Sequence, residues 1–152
     1  MAFHITVHRK SDDELFLNPP EDENSPEFEL WESRCLARTL YDNPLGSGNI
    51  VHHYWSVLAG RLGLPLLSAI YDSGLRVEGA DLSRLEEELD RLERHWGTMD
   101  MRSEPGVLGT PREEGRIETN RVALPDHLRK RIGYLREAIR IAKANDGVVL
   151  VS

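Results

Sequence analysis

Apolar and polar residues alternate with two different periods along the chain, and these periods predict strands and helices. Over residues 2–9, Phe3, Ile5 and Val7 alternate with polar side chains, which predicts a strand with one buried face. Elsewhere the apolar positions recur every three or four residues, as they do on one face of an amphipathic helix. The clearest such helix begins at Asp81. Its apolar positions are Leu82, Leu85, Leu89, Leu92, Trp96 and Met99.

Four more segments carry a helical pattern. The first begins at Pro26 after a Ser25 cap and extends to about Tyr41. Its apolar stripe comprises Phe28, Trp31, Cys35 and Leu36. The other three are predicted over 49–62, over 64–71, and from Pro125 to the stop signal Asn145-Asp146-Gly147. In the 49–62 helix, small side chains opposite the apolar face allow a second element to approach closely.

The two ends of the chain are predicted to meet in one sheet. The terminal VVLVS is a β-branched apolar run that predicts a strand covered on both faces. The pattern therefore predicts a single α+β domain over residues 1–152, mainly helical, with about four to five helices and a small sheet formed by the N- and C-terminal strands. Two stretches are predicted to be irregular, an acidic loop over 10–25 and a long loop over 97–120, where 117–122 could add a short strand.

Charge is distributed unevenly along the chain. The formal net charge is −7, yet residues 11–33 hold nine acids and no base, whereas 127–143 holds six bases and one acid. Such faces often serve only solubility, but a concentrated acidic surface also selects basic partners. We therefore consider a basic protein partner, with the acidic segment and the 97–120 loop as contact surfaces. The candidate partner-binding residues are Asp12, Asp13, Glu14, Glu21, Asp22 and Glu23.

The overall composition limits the classes of function. A net negative charge repels phosphate backbones, so a nucleic-acid partner is disfavoured, although the bases of the last helix would be its contact residues. No apolar run approaches the roughly 18 residues that cross a bilayer, and the N-terminal segment lacks the apolar region of a secretory signal. We therefore expect a cytoplasmic protein. Because Cys35 is the only cysteine, an intramolecular disulfide and a multi-cysteine zinc site are excluded.

The adjacent His52 and His53 are the most conspicuous candidates for chemistry. Neighbouring side chains on an α-helix point about 100° apart, so the two imidazoles are expected to diverge and to have packing or surface roles. The alternative is a small metal-dependent enzyme or metal-binding protein that uses His52 or His53 with a carboxylate brought close by the fold. The first interpretation is preferred, and it predicts no catalytic residue, no metal ligand and no cofactor.

Other chemically capable residues receive structural interpretations. His4 and His8 share a strand face about 13 Å apart, too far to clamp one zinc ion, and are expected to face solvent or a partner. Cys35 is interpreted as a small apolar side chain. The Glu86-Glu87-Glu88 run is interpreted as a solvated helix face. The Gly46-Ser47-Gly48 pattern lacks the third glycine of a dinucleotide-binding loop, and the sequence shows no clear strand before it, so a dinucleotide site is not expected.

Two segments, LGLPLLSAIYDSGLRVEGADLSRLEEELDRLERHW and YLREAIRIAKANDGVVLVS, resemble small bacterial proteins of the immunity type found in polymorphic toxin systems. In those proteins an apolar helix precedes a helix of pattern L..EL..L, and the chain ends in a helix and a short strand. The resemblance covers roughly 55 of the 152 residues. It implies a cytosolic, non-catalytic inhibitor that binds a cognate toxin, and it assigns no role to any single residue.

Overall fold

A four-stranded antiparallel sheet joins the two ends of the chain. The structure is a computed structural model that describes residues 2–99 and 124–152. Its strands are β1 (Ala2–Arg9), β2 (Thr39–Ser47), β3 (Leu75–Glu78) and β4 (Gly147–Val151), in the spatial order β2-β1-β4-β3. The predicted pairing of the termini is confirmed, because Ile5 lies opposite Val151 and Arg9 opposite Gly147.

Seven helices accompany the sheet in the described part of the chain, which confirms the predicted α+β, mainly helical class. They are α1 (Asp13–Leu17), α2 (Pro26–Arg38), α3 (Gly48–Arg61), α4 (Pro65–Ser68), α5 (Ile70–Ser73), α6 (Asp81–Trp96) and α7 (Leu124–Asn145). Two more are present than the sequence predicted, because α1 lies inside the stretch predicted as an irregular loop and the 64–71 segment divides into α4 and α5. The 97–120 loop prediction falls almost entirely on residues outside those that the structure describes.

The predicted helix over 26–41 ends earlier than expected, and a strand follows it. Helix α2 stops at Arg38, where the Thr39 hydroxyl donates a hydrogen bond of 2.8 Å to the Cys35 carbonyl. Strand β2 then pairs with β1 along the edge of the sheet. Its sequence shows no clean alternation and contains Pro44, which an edge strand tolerates because one side of its backbone needs no ladder partner.

The core lies between the inner face of the sheet and helices α3, α6 and α7. The predicted stripes of β1 and α6 are buried there as expected, and Trp55 of α3 is completely buried. The Trp55 and Trp96 rings meet edge to face at 5.0 Å, and the Trp96 indole donates a hydrogen bond of 2.8 Å to the Tyr54 carbonyl. Burial of these large rings makes α3 and α6 one rigid support for the sheet.

Two of the small residues of α3 are packed as the sequence predicted, whereas Gly60 is exposed. Ser56 and Ala59 are buried on the side of α3 that meets α4 and α5. The Ser56 hydroxyl donates to the Leu67 carbonyl at 3.3 Å and accepts from the Tyr71 amide at 3.1 Å. The buried Ser56 hydroxyl is therefore fully paired where two short helices lie close to α3.

Glu88 departs from the interpretation of the Glu86–Glu88 run as a solvated face. Its side chain is buried and accepts backbone hydrogen bonds from Leu66 at 3.2 Å and Leu67 at 3.0 Å. These amides lie in the first turn of α4, where helical N–H groups lack internal partners. The Glu88 carboxylate therefore caps a helix that lies beside its own.

The basic α7 is paired with the acidic α6 along one side of the domain. Arg136 donates to Asp90 at 2.8 Å and to Glu93 at 2.9 Å, and Lys143 pairs with Glu86. Because the acids neutralise these bases, the basic stretch noted in the sequence carries less free positive charge than its composition indicates. No helix among the described residues is both long and apolar enough to cross a membrane.

Candidate protein-binding surface

Helices α1 and α2 form a unit that we call the helical arm, residues 10–38. The predicted apolar stripe of α2 does not enter the core, since none of the thirteen residues of α2 is buried. Leu36, a member of that stripe, is 75% exposed, and Leu30 is 54% exposed. Leu17 at the end of α1 is 61% exposed. A helix that leaves part of its apolar surface in water marks a surface available for binding.

The arm is attached to the sheet through α1. The Phe16 ring stacks on the His8 ring with centroids 4.0 Å apart and planes within 10° of parallel. His8 Nε2 lies 2.7 Å from Asp13 Oδ1, and His8 is only 1% exposed. The expectation that His8 faces solvent or a partner is therefore wrong, because α1 covers this end of the outer sheet face.

Asp13 links the arm to the opposite edge strand through a charged network. Arg76 of β3 donates from Nη1 to Asp13 Oδ1 at 3.0 Å and also pairs with Asp13 Oδ2 at 2.5 Å. The Arg76 hydrogen bonds hold the pKa of Asp13 below its ordinary value, opposed by burial and assisted by His8. The Asp13 hydrogen bond in turn raises the pKa of Arg76. Glu78 continues the network, accepting from Arg76 at 3.0 Å and from Lys10 at 3.1 Å.

Helix α2 is held on α1 by one indole and one ion pair. The Trp31 indole N–H donates to the Leu15 carbonyl at 2.6 Å, and the Phe28 ring packs against Trp31 at 5.1 Å. Arg38 pairs with Asp12 at 2.9 Å. These contacts fix how the two helices cross while leaving the outer face of α2 uncovered.

A shallow groove of about 520 Å³ runs between the two helices. Its lining combines apolar and charged side chains, which are Leu15, Pro20, Leu30 and Trp31 with Glu14, Glu27 and Arg34. We call it the α1–α2 groove. A neighbouring depression of about 580 Å³ lies nearer Asp12 and Arg38. A groove lined by apolar side chains, with more acidic than basic groups, suits a side chain of mixed apolar and basic character.

The structure divides the six predicted partner-binding acids into two groups. Asp12 and Asp13 are engaged within the chain by Arg38 and Arg76. The other four are exposed and form no ion pair with any residue in 2–99 or 124–152; they are Glu14, Glu21, Asp22 and Glu23. The same holds for three acids of α2, Glu27, Glu29 and Glu32.

The exposed leucines were not identified as functional from the sequence, although Leu30 carried a signal. At 100° per residue, Leu30 lies about 160° from Phe28 and about 100° from Trp31, so it is an apolar residue outside the predicted stripe of α2. Cys35 is half-buried, and burial followed by the Glu32 charge raises the pKa of its thiol. This agrees with a packing role for Cys35 and does not favour a reactive thiolate.

His52 and His53 lie in a π-helical turn of α3, Val51–Ser56. Because a π-helix has more residues per turn than an α-helix, successive side chains diverge less. The two imidazole centroids are 4.9 Å apart, and His52 also lies 4.5 Å from the Tyr71 ring. The expectation that the rings diverge is therefore wrong. Among the residues described, no three histidine, cysteine or acidic side chains gather into a metal-binding group.

Comparison with known proteins adds no family. No protein-family model, no curated protein and no solved structure matches the chain. The resemblance to immunity proteins therefore stays a prediction.

Proposed function

We propose that this protein is a non-catalytic protein-binding domain of the immunity type, which inhibits a basic toxin by binding it with the helical arm. The observation that carries this proposal is the exposure of α2, a thirteen-residue helix with no buried residue. Its exposed leucines stand among seven carboxylates that have no ion-pair partner in the described part of the chain.

The apolar residues supply affinity and the charges supply selectivity. Burying a leucine side chain fully is worth about 1.5–3 kcal/mol, and Leu30 and Leu36 are each more than half exposed. Acidic groups around such a patch accelerate association with basic partners and disfavour acidic ones. Together they give the apolar centre and polar rim that are typical of protein interfaces.

The test is co-expression with the product of the open reading frame adjacent to the gene, with bacterial growth as the readout. The proposal predicts that this product alone arrests growth and that the protein restores it. Leu30→Ser with Leu36→Ser should abolish the protection, whereas Leu30→Met with Leu36→Met should retain it because the surface stays apolar. Growth arrest that the wild-type protein does not relieve would contradict the proposal.

A second candidate is a metal-binding protein that uses His52 and His53, and the contact between their rings supports it. Two imidazoles that share a zinc ion each place a nitrogen about 2.0–2.1 Å from the metal, and solvent or a bound partner would supply the remaining ligands. Titration of metal-free protein with zinc, followed by the histidine ring resonances, tests this idea. Binding should be lost in His52→Ala and kept in His4→Ala; equal binding by both variants would contradict it.

A further inference from the structure

We propose that the α1–α2 groove binds an amphipathic helix rich in lysine or arginine, presented by the partner protein. One apolar side chain of that helix enters the groove, and basic side chains on either side of it pair with Glu14 and Glu27. This inference rests on the proposed protein-binding function and adds the chemistry and position of the occupant.

The groove is built in advance of binding. It is lined by side chains of α1 and α2 and by Asn18 and Pro20 from the segment between them. A helix laid into a groove by its apolar face is a recurrent mode of peptide recognition. The Trp31 ring in the groove is fixed because its indole N–H is bonded to the Leu15 carbonyl. Because the Trp31 ring is already held in place, little of its conformational entropy is lost when the apolar side chain of the partner enters the groove.

Charge favours a cationic occupant. Of the nine acids in residues 11–33, Asp12 and Asp13 are neutralised by the chain itself, and seven are left without a basic partner among the described residues. Arg34 is the only base among the residues that line the groove, and Glu14 and Glu27 stand beside it. The net field at the groove is therefore negative, and a basic helix reaches it faster than a neutral one.

The same charges disfavour a second copy of this chain. Two arms placed face to face would bring like charges together, which is costly at an interface. The basic α7 of another copy is a poor occupant, because four of its six bases already have acidic partners. Those pairs are Arg136 with Asp90 and Glu93, Arg140 with Glu137, Lys143 with Glu86, and Arg129 with Asp126.

The test uses the full-length protein and a synthetic amphipathic helical peptide of leucine and lysine, about five turns long. One control peptide has the same composition with its amphipathic order scrambled, and another carries glutamate in place of lysine. Affinity is measured by calorimetry, and the Trp31 indole N–H signal, assigned with Trp31→Phe, reports on the groove. We expect the ordered lysine peptide alone to bind tightly and to shift that signal.

Paired variants locate the binding on the arm. Leu30→Ser, in the groove, should weaken the peptide by about tenfold, whereas Leu17→Ser, equally exposed but outside the groove, should change affinity by less than about twofold. Glu27→Gln should weaken binding more than Glu87→Gln on α6. Equal effects of the two leucine variants, equal binding of the scrambled peptide, or self-association in place of peptide binding would each overturn the proposal.

Failure of this inference is distinguishable from failure of the proposed function. In one outcome the peptide does not bind, but the protein still neutralises the neighbouring gene product and the Leu30 and Leu36 serine variant loses that protection. The arm then binds a partner, but the α1–α2 groove does not bind a cationic helix. If the protein neutralises nothing and binds no peptide, both proposals are wrong.

Discussion

The link between the arm and the sheet leads to a quantitative prediction at Asp13. Asp13→Asn keeps an oxygen that can accept from His8 but removes the charge that pairs with Arg76. The Asp13 side chain is 17% exposed and that of Arg76 is 38% exposed, so solvent screens the pair partially. A charge-assisted hydrogen bond is worth about 1.5–3 kcal/mol and an exposed ion pair about 0.2–1 kcal/mol. We therefore expect the variant to lose about 1–2 kcal/mol of unfolding free energy.

Asp13→Ala should cost more than Asp13→Asn, because it also removes the acceptor for His8 Nε2. Leaving a buried polar group unpaired costs about 1–3 kcal/mol, and His8 is almost fully buried. Urea unfolding at neutral pH measures both variants. The matched control is Asp81→Asn, whose pair with Arg84 is exposed on both sides, and which should cost less than about 0.5 kcal/mol.

The pH dependence gives the same prediction a second readout. Because the pKa of Asp13 is lowered in the folded state, its contribution is present above the ordinary carboxyl pKa of 3.8 and is lost as the pH falls through the folded pKa. The difference between wild type and Asp13→Asn should therefore shrink in acid. Two results would refute this role of Asp13 in linking the arm to the sheet. One is that Asp13→Asn is as stable as Asp81→Asn at neutral pH, and the other is that the difference between wild type and Asp13→Asn grows in acid.

Three more predictions concern stability, each measured by urea unfolding. Glu88→Ala should cost about 1–3 kcal/mol, because it leaves one buried and one partly buried backbone amide at the start of α4 without an acceptor, whereas the exposed Glu87→Ala should cost little. Trp96→Phe should lose about 1–3 kcal/mol through the missing hydrogen bond to the Tyr54 carbonyl and the smaller ring. Leu36→Ser should stay within about 0.5 kcal/mol of wild type; a larger loss would mean that α2 is buried after all.

The sequence predicts those elements whose pattern is local. Strand β1 and helix α6 are confirmed because each buries one regular face, so the period of apolar residues alone identifies them. Strand β2 was missed because nothing in its own sequence specifies a strand. It forms because β1 offers it a hydrogen-bonded edge, and Pro44 is acceptable only there.

The candidate surface follows the sequence only in part. Counting charged residues locates the excess of acidic residues in 11–33. Which of these acids lack an ion-pair partner, however, depends on residues far along the chain. Arg76 is 63 positions from Asp13, and Arg38 is 26 positions from Asp12. No local pattern reveals such pairs. The exposure of α2 was equally hidden, since an apolar stripe has the same sequence whether it faces a core or water.

The contact between His52 and His53 could not be predicted for a different reason. Neighbouring side chains point about 100° apart only in α-helical geometry, whereas the residues from Val51 to Ser56 form a π-helical turn. Packing of α3 against α4 and α5 accompanies that turn, so the ring geometry depends on tertiary structure.

The exposed face of α2 is the feature on which the functional account depends most, and amide hydrogen exchange in the presence of the neighbouring gene product tests it directly. The account predicts that exchange over 26–38 slows by more than about tenfold on binding, while exchange over 81–96 is unchanged. A complex that protects α6 or α3 and leaves α2 exchanging as in the free protein would contradict it.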